Sequence, residues 1–96
     1  MTEEFTRFDA ADFLKTPEEM AVYLDACFEE DAGDGVLVRA ALNDIARAKG
    51  MTQIARDAGL GRESLYKALS SSGNPEFATI MKVMKALGLR LQAIPA

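Results

Sequence analysis

The stretch from Met51 to Leu69, MTQIARDAGLGRESLYKAL, constrains the fold of this chain more than any other. It contains two short segments with apolar residues at helical spacing, separated at Gly59, and glycine favours the left-handed conformation of a tight turn between helices. Ala55, four residues before Gly59, is small enough to let the two helices cross closely. The stretch therefore predicts a helix-turn-helix. The residues predicted to face its core are Ile54, Ala58, Leu60, Leu65 and Leu69.

The outer face of the second predicted helix carries side chains suited to DNA, because the first residues of such a helix reach base edges in the major groove. Arg62 suits guanine O6 and N7, Glu63 can accept from the cytosine amino group, and Lys67 suits guanine or phosphate. Thr52 is predicted to cap the first helix, whose exposed amides can hold a phosphate. The predicted DNA-binding residues are Thr52, Gln53, Arg62, Glu63, Ser64, Tyr66, Lys67, Ser70 and Asn74.

Plainer interpretations of the same residues stay open. Helical hairpins that bind no ligand also use a small residue and a glycine turn, and Arg62 and Lys67 are the only bases on the second helix. Tyr66 can half-bury beside the last helix, and Glu63 can pair with Lys67 at i+4. The stretch is therefore also consistent with a protein-interaction module that has lost DNA binding.

Two helices are predicted before this stretch. Thr16 and Glu19 form a capping box around Pro17, which suits the first helical position. This helix is expected to end near Glu30 and to be followed by a loop. The next helix runs from Val36 to Lys49 and ends at Gly50. The predicted apolar faces are Met20, Leu24, Cys27 and Phe28 in the first helix, and Val38, Ala41, Leu42 and Ile45 in the second.

One helix and one strand are predicted after it. Asn74 caps and Pro75 opens the last helix, which Gly88 ends. Its predicted inward face is Phe77, Ile80, Met81, Met84 and Leu87. The tail from Leu89 to Ile94 alternates apolar and polar residues, which predicts a short β-strand. A lone strand in a helical domain must stay frayed, pair with the N-terminal segment, or pair with the same strand of a second subunit in a twofold dimer. The expected fold is all-α, with five helices and this strand.

Charge divides the chain into two parts. Residues 1–34 carry eleven acidic and two basic side chains, a net charge of −9, whereas residues 35–96 carry nine basic and four acidic ones, a net charge of +5. The basic part can meet nucleic acid, and the acidic part can meet a basic protein or serve only as a solvated face. We expect one compact unit with an acidic segment and helix (1–34), a helix-turn-helix DNA-binding domain (35–88) and a strand or tail (89–96).

The composition argues against an enzyme. The chain has no histidine, no paired nucleophile and base, no phosphate-binding loop and no cluster of metal ligands, so we predict no catalytic residue, cofactor or metal. The single cysteine, Cys27, fits a reducing cytoplasm. The polar start MTEEFTRFD and the lack of a long apolar run predict a cytoplasmic protein that does not bind membranes. At 96 residues a dimer is a reasonable expectation, because so small a core is marginally stable.

The run from Asp12 to Leu91 resembles the HigA-like addiction-module antidote proteins, antitoxins with a lambda-repressor-like (Xre/Cro) helix-turn-helix. The matching pieces are DFLKTPEEMAVYLDACFEE (12–30), ALNDIARAKGMTQIARDAGLGRESLYKALS (41–70), GNPEFATIMKVMKALG (73–88) and the LRL that follows. The combination of GLGRESLYKALS with GNPEFAT is much more specific than a generic helical hairpin. The acidic linker EEDAGD (29–34) departs from the usual pattern of the family.

The resemblance implies an antitoxin that binds and neutralises a toxin of the RelE/ParE superfamily, encoded in the same operon. It also implies a homodimer that binds its own operator, as double-stranded DNA, and represses the operon, so that the protein associates with the nucleoid when bound. The acidic N-terminal part is then a plausible surface for a basic toxin. A stand-alone phage-type regulator without a toxin partner stays open as an alternative.

Overall fold

The computed structural model describes residues 14–70 and 72–95, and this part of the chain is all-α, as predicted. None of its helices is long and apolar enough to cross a membrane. The described helices are α1 (Pro17–Glu30), α2 (Val36–Lys49), α3 (Met51–Ala58), α4 (Arg62–Leu69) and α5 (Phe77–Ala86).

The start of α1 confirms the predicted capping box. The Thr16 hydroxyl accepts the backbone N–H of Glu19 at 3.1 Å, and the Glu19 carboxylate accepts the backbone N–H groups of Thr16 and Lys15. These bonds satisfy amides that would otherwise have no partner at the helix N-terminus. The buried face of α1 is narrower than predicted, because Met20 and Leu24 are buried whereas Phe28 is exposed.

The acidic linker after α1 is an ordered cap for α2. The carboxylate of Asp31 accepts four backbone N–H groups, from Gly33 (2.8 Å), Gly35 (2.9 Å), Leu37 (2.9 Å) and Val38 (3.2 Å). These hydrogen bonds, led by that from Gly35, hold the pKa of the Asp31 carboxyl below its usual value. Asp31 thus supplies the side-chain cap that the residue before α2, Gly35, does not.

Helix α2 lies at the centre of the fold, since it packs against α1, α3 and α4. The Tyr23 hydroxyl of α1 donates to the Asp44 carboxylate of α2 at 2.7 Å. Burial and this hydrogen bond raise the pKa of Tyr23 well above its usual value, so the hydroxyl stays protonated. At the other end of α2, the Arg39 side chain donates to the carbonyl of Ser70, the residue that follows α4, at 3.0 Å. The two hydrogen bonds connect α2 to α1 and to the residue that follows α4.

The core is built from one apolar face of every described helix. Its largest fully buried side chains are Leu14, Met20, Leu42, Ile45, Ile54, Leu65, Leu69, Val83 and Leu87. Helix α3 joins the two ends of the domain, because it packs against α2, α4 and α5. The helix-turn-helix expected from sequence is therefore held on a continuous core.

The predicted start of the last helix is wrong, and its predicted inward face is right only in part, since Met84 and Leu87 are buried and Ile80 packs against the core. Asn74 is not the N-cap, because α5 begins at Phe77, and Glu76 holds the N-cap position in an extended conformation. Phe77 is 68% exposed and Met81 40% exposed, whereas Val83, which the prediction left out, is fully buried. Two overlapping apolar stripes run along this helix, and packing against α3 selects the one that contains Val83.

The predicted C-terminal β-strand is also wrong for the part of the tail that the structure describes. Residues 89–95 form no strand, although the backbone N–H of Leu89 still donates to the carbonyl of Met84. The physical reason is the lack of a partner: helices use their own backbone groups and offer none to a strand. Alternation alone therefore does not make a strand in this chain.

Candidate nucleic-acid interface

The turn between α3 and α4 has the geometry that the sequence predicted. Gly59 adopts the left-handed conformation, with φ 72° and ψ 30°. The backbone N–H of Leu60 donates to the Ala55 carbonyl at 2.8 Å, and that of Gly59 donates to the Arg56 carbonyl at 3.1 Å. This pair of bonds is a Schellman motif, which ends α3 sharply. The chain then enters α4 after only Leu60 and Gly61.

The two predicted ligands on α3 are both exposed, but their roles differ from the prediction. Thr52 does not cap the helix: Gly50 occupies the N-cap position, without a side-chain bond, and Thr52 lies inside the first turn. The Gln53 amide donates to the Asp57 carboxylate at 2.8 Å and accepts from Arg56 at 3.4 Å. Gln53 is therefore positioned by its own helix.

The outer face of α4 is polar and accessible. Leu65 and Leu69 anchor the opposite face in the core. Because these two leucines face the core, the side chains at the N-terminal end of this eight-residue helix face outward. The exposed residues of α4 are Arg62, Glu63, Ser64, Tyr66 and Lys67. Five of the nine predicted DNA-binding residues thus share one short helix.

Arg62 and Tyr66 form a pair on this face. The Arg62 guanidinium donates to the Tyr66 hydroxyl at 3.3 Å, and its central carbon lies 5.4 Å from the centre of the tyrosine ring. Tyr66 is 43% exposed, so its ring remains accessible on this face. The i, i+4 spacing of the two residues was the sequence signal for this contact. By the same spacing Glu63 and Lys67 can meet, yet within the described residues they form no ion pair.

The remaining predicted ligands lie beyond α4. The Ser70 hydroxyl donates to the Lys67 carbonyl at 2.9 Å, so this serine closes the C-terminal end of α4. Asn74 is exposed in the loop that leads to α5. The neighbouring Ser71 lies outside the described residues. Of these side chains, Asn74 is the freer to reach a phosphate.

The loop requires glycine at position 73, and the sequence did not predict this requirement. A Cβ at this position would clash with the backbone carbonyl oxygens of Lys67 and Ala68. The backbone N–H of Gly73 also donates to the Ser70 carbonyl at 3.0 Å. The loop is therefore folded back against the end of α4, and its direct contact with backbone leaves no room for a side chain. A glycine in a polar loop gives no sequence signal that distinguishes this role from ordinary flexibility.

The outer face of α4 carries polar and charged groups that can form hydrogen bonds and ion pairs. Its five exposed residues supply guanidinium, ammonium, carboxylate, hydroxyl and phenol groups, close together on one short helix. In the described part of the chain, no group of three or more potential ligand side chains is placed to hold a metal ion. The Cys27 thiol lies on α1, away from this helix in sequence, and burial raises its pKa. It is therefore a poor nucleophile.

Comparison with known proteins identifies relatives over nearly the whole chain. The model of a family described as "probable addiction module antidote protein" matches residues 4–95. A protein of Haemophilus influenzae described as uncharacterized is 56% identical over 92 residues, which cover 96% of this chain and 93% of that protein. No solved structure matches the chain.

Proposed function

The chain belongs to the family of probable addiction module antidote proteins, and we propose that it neutralises a toxin of the RelE/ParE superfamily and represses its own operon. In this proposal the neutralising step is stoichiometric binding in the cytoplasm, and repression is binding of a homodimer to operator DNA. Membership in an antidote family implies a toxin partner of some kind. The superfamily of that toxin comes from the resemblance to HigA-like antitoxins.

The observation that carries the DNA-binding part is the outer face of α4. Arg62, Glu63 and Lys67 lie exposed on a short helix that follows a tight turn, and such a helix can enter the major groove with its N-terminal residues first. In this arrangement Arg62 reads guanine, while Lys67 contacts guanine or phosphate. The exposed Thr52 and Asn74 are available for the DNA backbone.

The homodimer is supported by unpartnered apolar surface on α5. Phe77 and Met81 lie one turn apart and are 68% and 40% exposed, respectively, which is costly for a monomer in water. Because a short loop joins α4 to α5, a twofold contact through this part of α5 brings the two α4 helices near one another. Two recognition helices on one side of a dimer suit an operator with two half-sites.

The test is a gel shift with the DNA upstream of the gene, with and without the purified product of the neighbouring reading frame. We expect the chain alone to retard this DNA, and an unrelated DNA of equal length to be retarded only at higher protein concentration. Binding of the neighbouring product by the chain, measured by calorimetry, tests neutralisation separately. Retardation of both DNAs at equal concentration would contradict operator recognition.

A second candidate function is favoured by the low positive charge of α4. It has two bases, and one of them, Arg62, already contacts Tyr66. A protein-interaction module would bind the neighbouring product and leave the upstream DNA unshifted even at low salt. The same two measurements therefore separate the candidates.

A further inference from the structure

A groove lies between the outward face of α1 and the C-terminal tail. Its volume is about 940 Å³, and its lining includes Val22 and Phe28 from α1 and Leu91 and Ile94 from the tail. These side chains are exposed by 72%, 45%, 36% and 67%, respectively. Four apolar side chains from two segments of the chain thus line one groove that is open to water. This is the kind of surface that marks a protein contact.

The polar groups along the groove are also without partners. Asp25 and Glu29, one turn apart on α1, line it and form no ion pair or hydrogen bond among the described residues. In the same part of the chain, the backbone groups of residues 90–95 make no hydrogen bond. Among the described residues, the groove therefore offers an apolar floor, two free carboxylates on one side, and backbone groups without hydrogen bonds on the other.

We infer that this groove is the docking surface for the toxin, and that it takes an amphipathic segment whose apolar side chains are flanked by lysine or arginine. The inference rests on the proposed function, since that function supplies the partner. Charge decides the chemistry of the segment. Helix α1 carries five acidic side chains and no basic one, and among the described residues the single base that lines the groove is Arg90 on the tail. A basic segment meets Asp25 and Glu29, while its apolar residues cover Val22, Phe28 and Ile94.

A second copy of this chain fits the groove poorly. A twofold contact places the same surface on both sides, so two copies of α1 would approach each other. Each copy brings the five carboxylates of Glu18, Glu19, Asp25, Glu29 and Glu30 without a compensating base on the helix. Like charges at an interface oppose association and are not screened once buried. The groove is therefore complementary to a basic partner and not to itself.

The experiment measures binding of the product of the neighbouring reading frame by calorimetry, with the full chain as the reference. One variant, Val22→Ser with Ile94→Ser, makes the floor polar. A second, Asp25→Lys, reverses one carboxylate. All three positions are exposed, so we expect both variants to keep the fold, which thermal unfolding checks. We expect each variant to weaken binding about tenfold or more. Matched controls are Val36→Ser, an exposed valine outside the groove, and Glu30→Lys, which makes the same charge change on α1 away from the groove.

Each outcome decides the question. Weakened binding by both groove variants, with both controls close to the reference, supports the inference. If all variants bind the product as tightly as the reference chain does, the inference is overturned and the proposed function still stands. A groove variant that loses self-association in sedimentation but keeps its affinity for the product shows that a second copy occupies the groove, which also overturns it. Failure of the reference chain to bind the product overturns the proposed partner and the inference together.

Discussion

At the scale of single residues, the strictest steric requirement falls on Gly73. A methyl group there meets the backbone oxygens at the end of α4, which cannot turn aside as a flexible side chain can. We expect Gly73→Ala to lower the free energy of unfolding by about 1–3 kcal/mol, because the loop must move off the helix. Urea unfolding followed by circular dichroism measures this.

The matched control for Gly73 is Gly61→Ala, at the start of α4. A Cβ at Gly61 meets only the Ser64 hydroxyl oxygen, at 3.8 Å, and φ is −69°, which alanine adopts freely. We expect the free energy of unfolding of this variant to change by less than about 1 kcal/mol. Equal losses in the two variants would contradict the steric account of Gly73.

Asp31 carries a pH dependence of stability. Its pKa in the folded chain is below the unfolded value, so its contribution is complete above the unfolded carboxyl pKa of about 3.9 and is lost as the pH falls through the folded pKa. We expect Asp31→Ala to lower the Tm at pH 7, with a difference from the unaltered chain that shrinks in acid. Thermal unfolding between pH 7 and pH 3 measures it. The control is Asp25→Ala, which removes an exposed carboxylate that accepts no backbone N–H among the described residues; we expect it to lower the Tm at pH 7 much less than Asp31→Ala does.

At the scale of elements, the helix boundaries that depend on local chemistry were predictable from sequence. The capping box at Thr16 and the left-handed turn at Gly59 are set by residues within one turn of the boundary. The inward face of α5 was predicted only in part and the tail wrongly, because they depend on packing against α3 and on a neighbouring strand that the described residues do not supply. The role of Asp31 was missed for a related reason: its four amide donors lie up to seven residues away.

The candidate site was predictable as a face but not as a set of contacts. Burial of Leu65 and Leu69 follows from their spacing, and it leaves Arg62, Glu63 and Lys67 outside. The sequence does not reveal that Ser70 closes the end of α4, since a serine can bond a helix carbonyl or a phosphate equally well. Which of these side chains contacts DNA stays a prediction.

The DNA-recognition role that we propose for α4 predicts the effect of changing Arg62. We expect Arg62→Ala to cost about 1–3 kcal/mol of operator binding and to relax specificity at one base pair, because a bidentate contact to guanine is lost. Tyr66→Phe keeps the ring beneath the guanidinium but removes the hydroxyl that accepts from it. Its loss should be smaller and confined to the same base pair. Gel shifts on single-base operator variants measure both, and an unchanged footprint for Arg62→Ala would remove it from the readers.

Changing Lys67, on the same helix, should affect DNA affinity and its salt dependence in a different way. If it contacts phosphate, Lys67→Gln weakens operator and unrelated DNA alike and reduces the salt slope of binding by about 1. Titrations at several salt concentrations give that slope. Lys85→Gln on α5 is the matched control, since it makes the same change on an exposed lysine outside the candidate interface. An unaltered slope for Lys67→Gln would place Lys67 at a base edge or away from the DNA.

At the scale of the whole molecule, two unpartnered apolar surfaces have different electrostatic surroundings. One wall of the groove is the acidic helix α1, whereas the exposed face of α5 belongs to the basic part of the chain. A DNA-binding dimer gains from an interface in the basic part, because both recognition helices then face the phosphates together. The acidic part is then left free for a basic partner. In the proposed function, the groove is therefore assigned to the toxin and the exposed face of α5 to the dimer.

The division predicts which surface holds the dimer. Phe77→Ser removes the most exposed aromatic side chain of α5, and burial of a phenylalanine contributes about 1.5–3 kcal/mol, so the dimer dissociation constant should rise about tenfold or more. Operator affinity should fall with it, since two half-sites are read by one dimer. Leu91→Ser is the comparison, because pairing of the two tails would depend on that side chain. Sedimentation velocity over a range of concentrations measures both variants. A dimer that survives Phe77→Ser but is lost in Leu91→Ser would mean that the tails, and not the α5 helices, join the subunits.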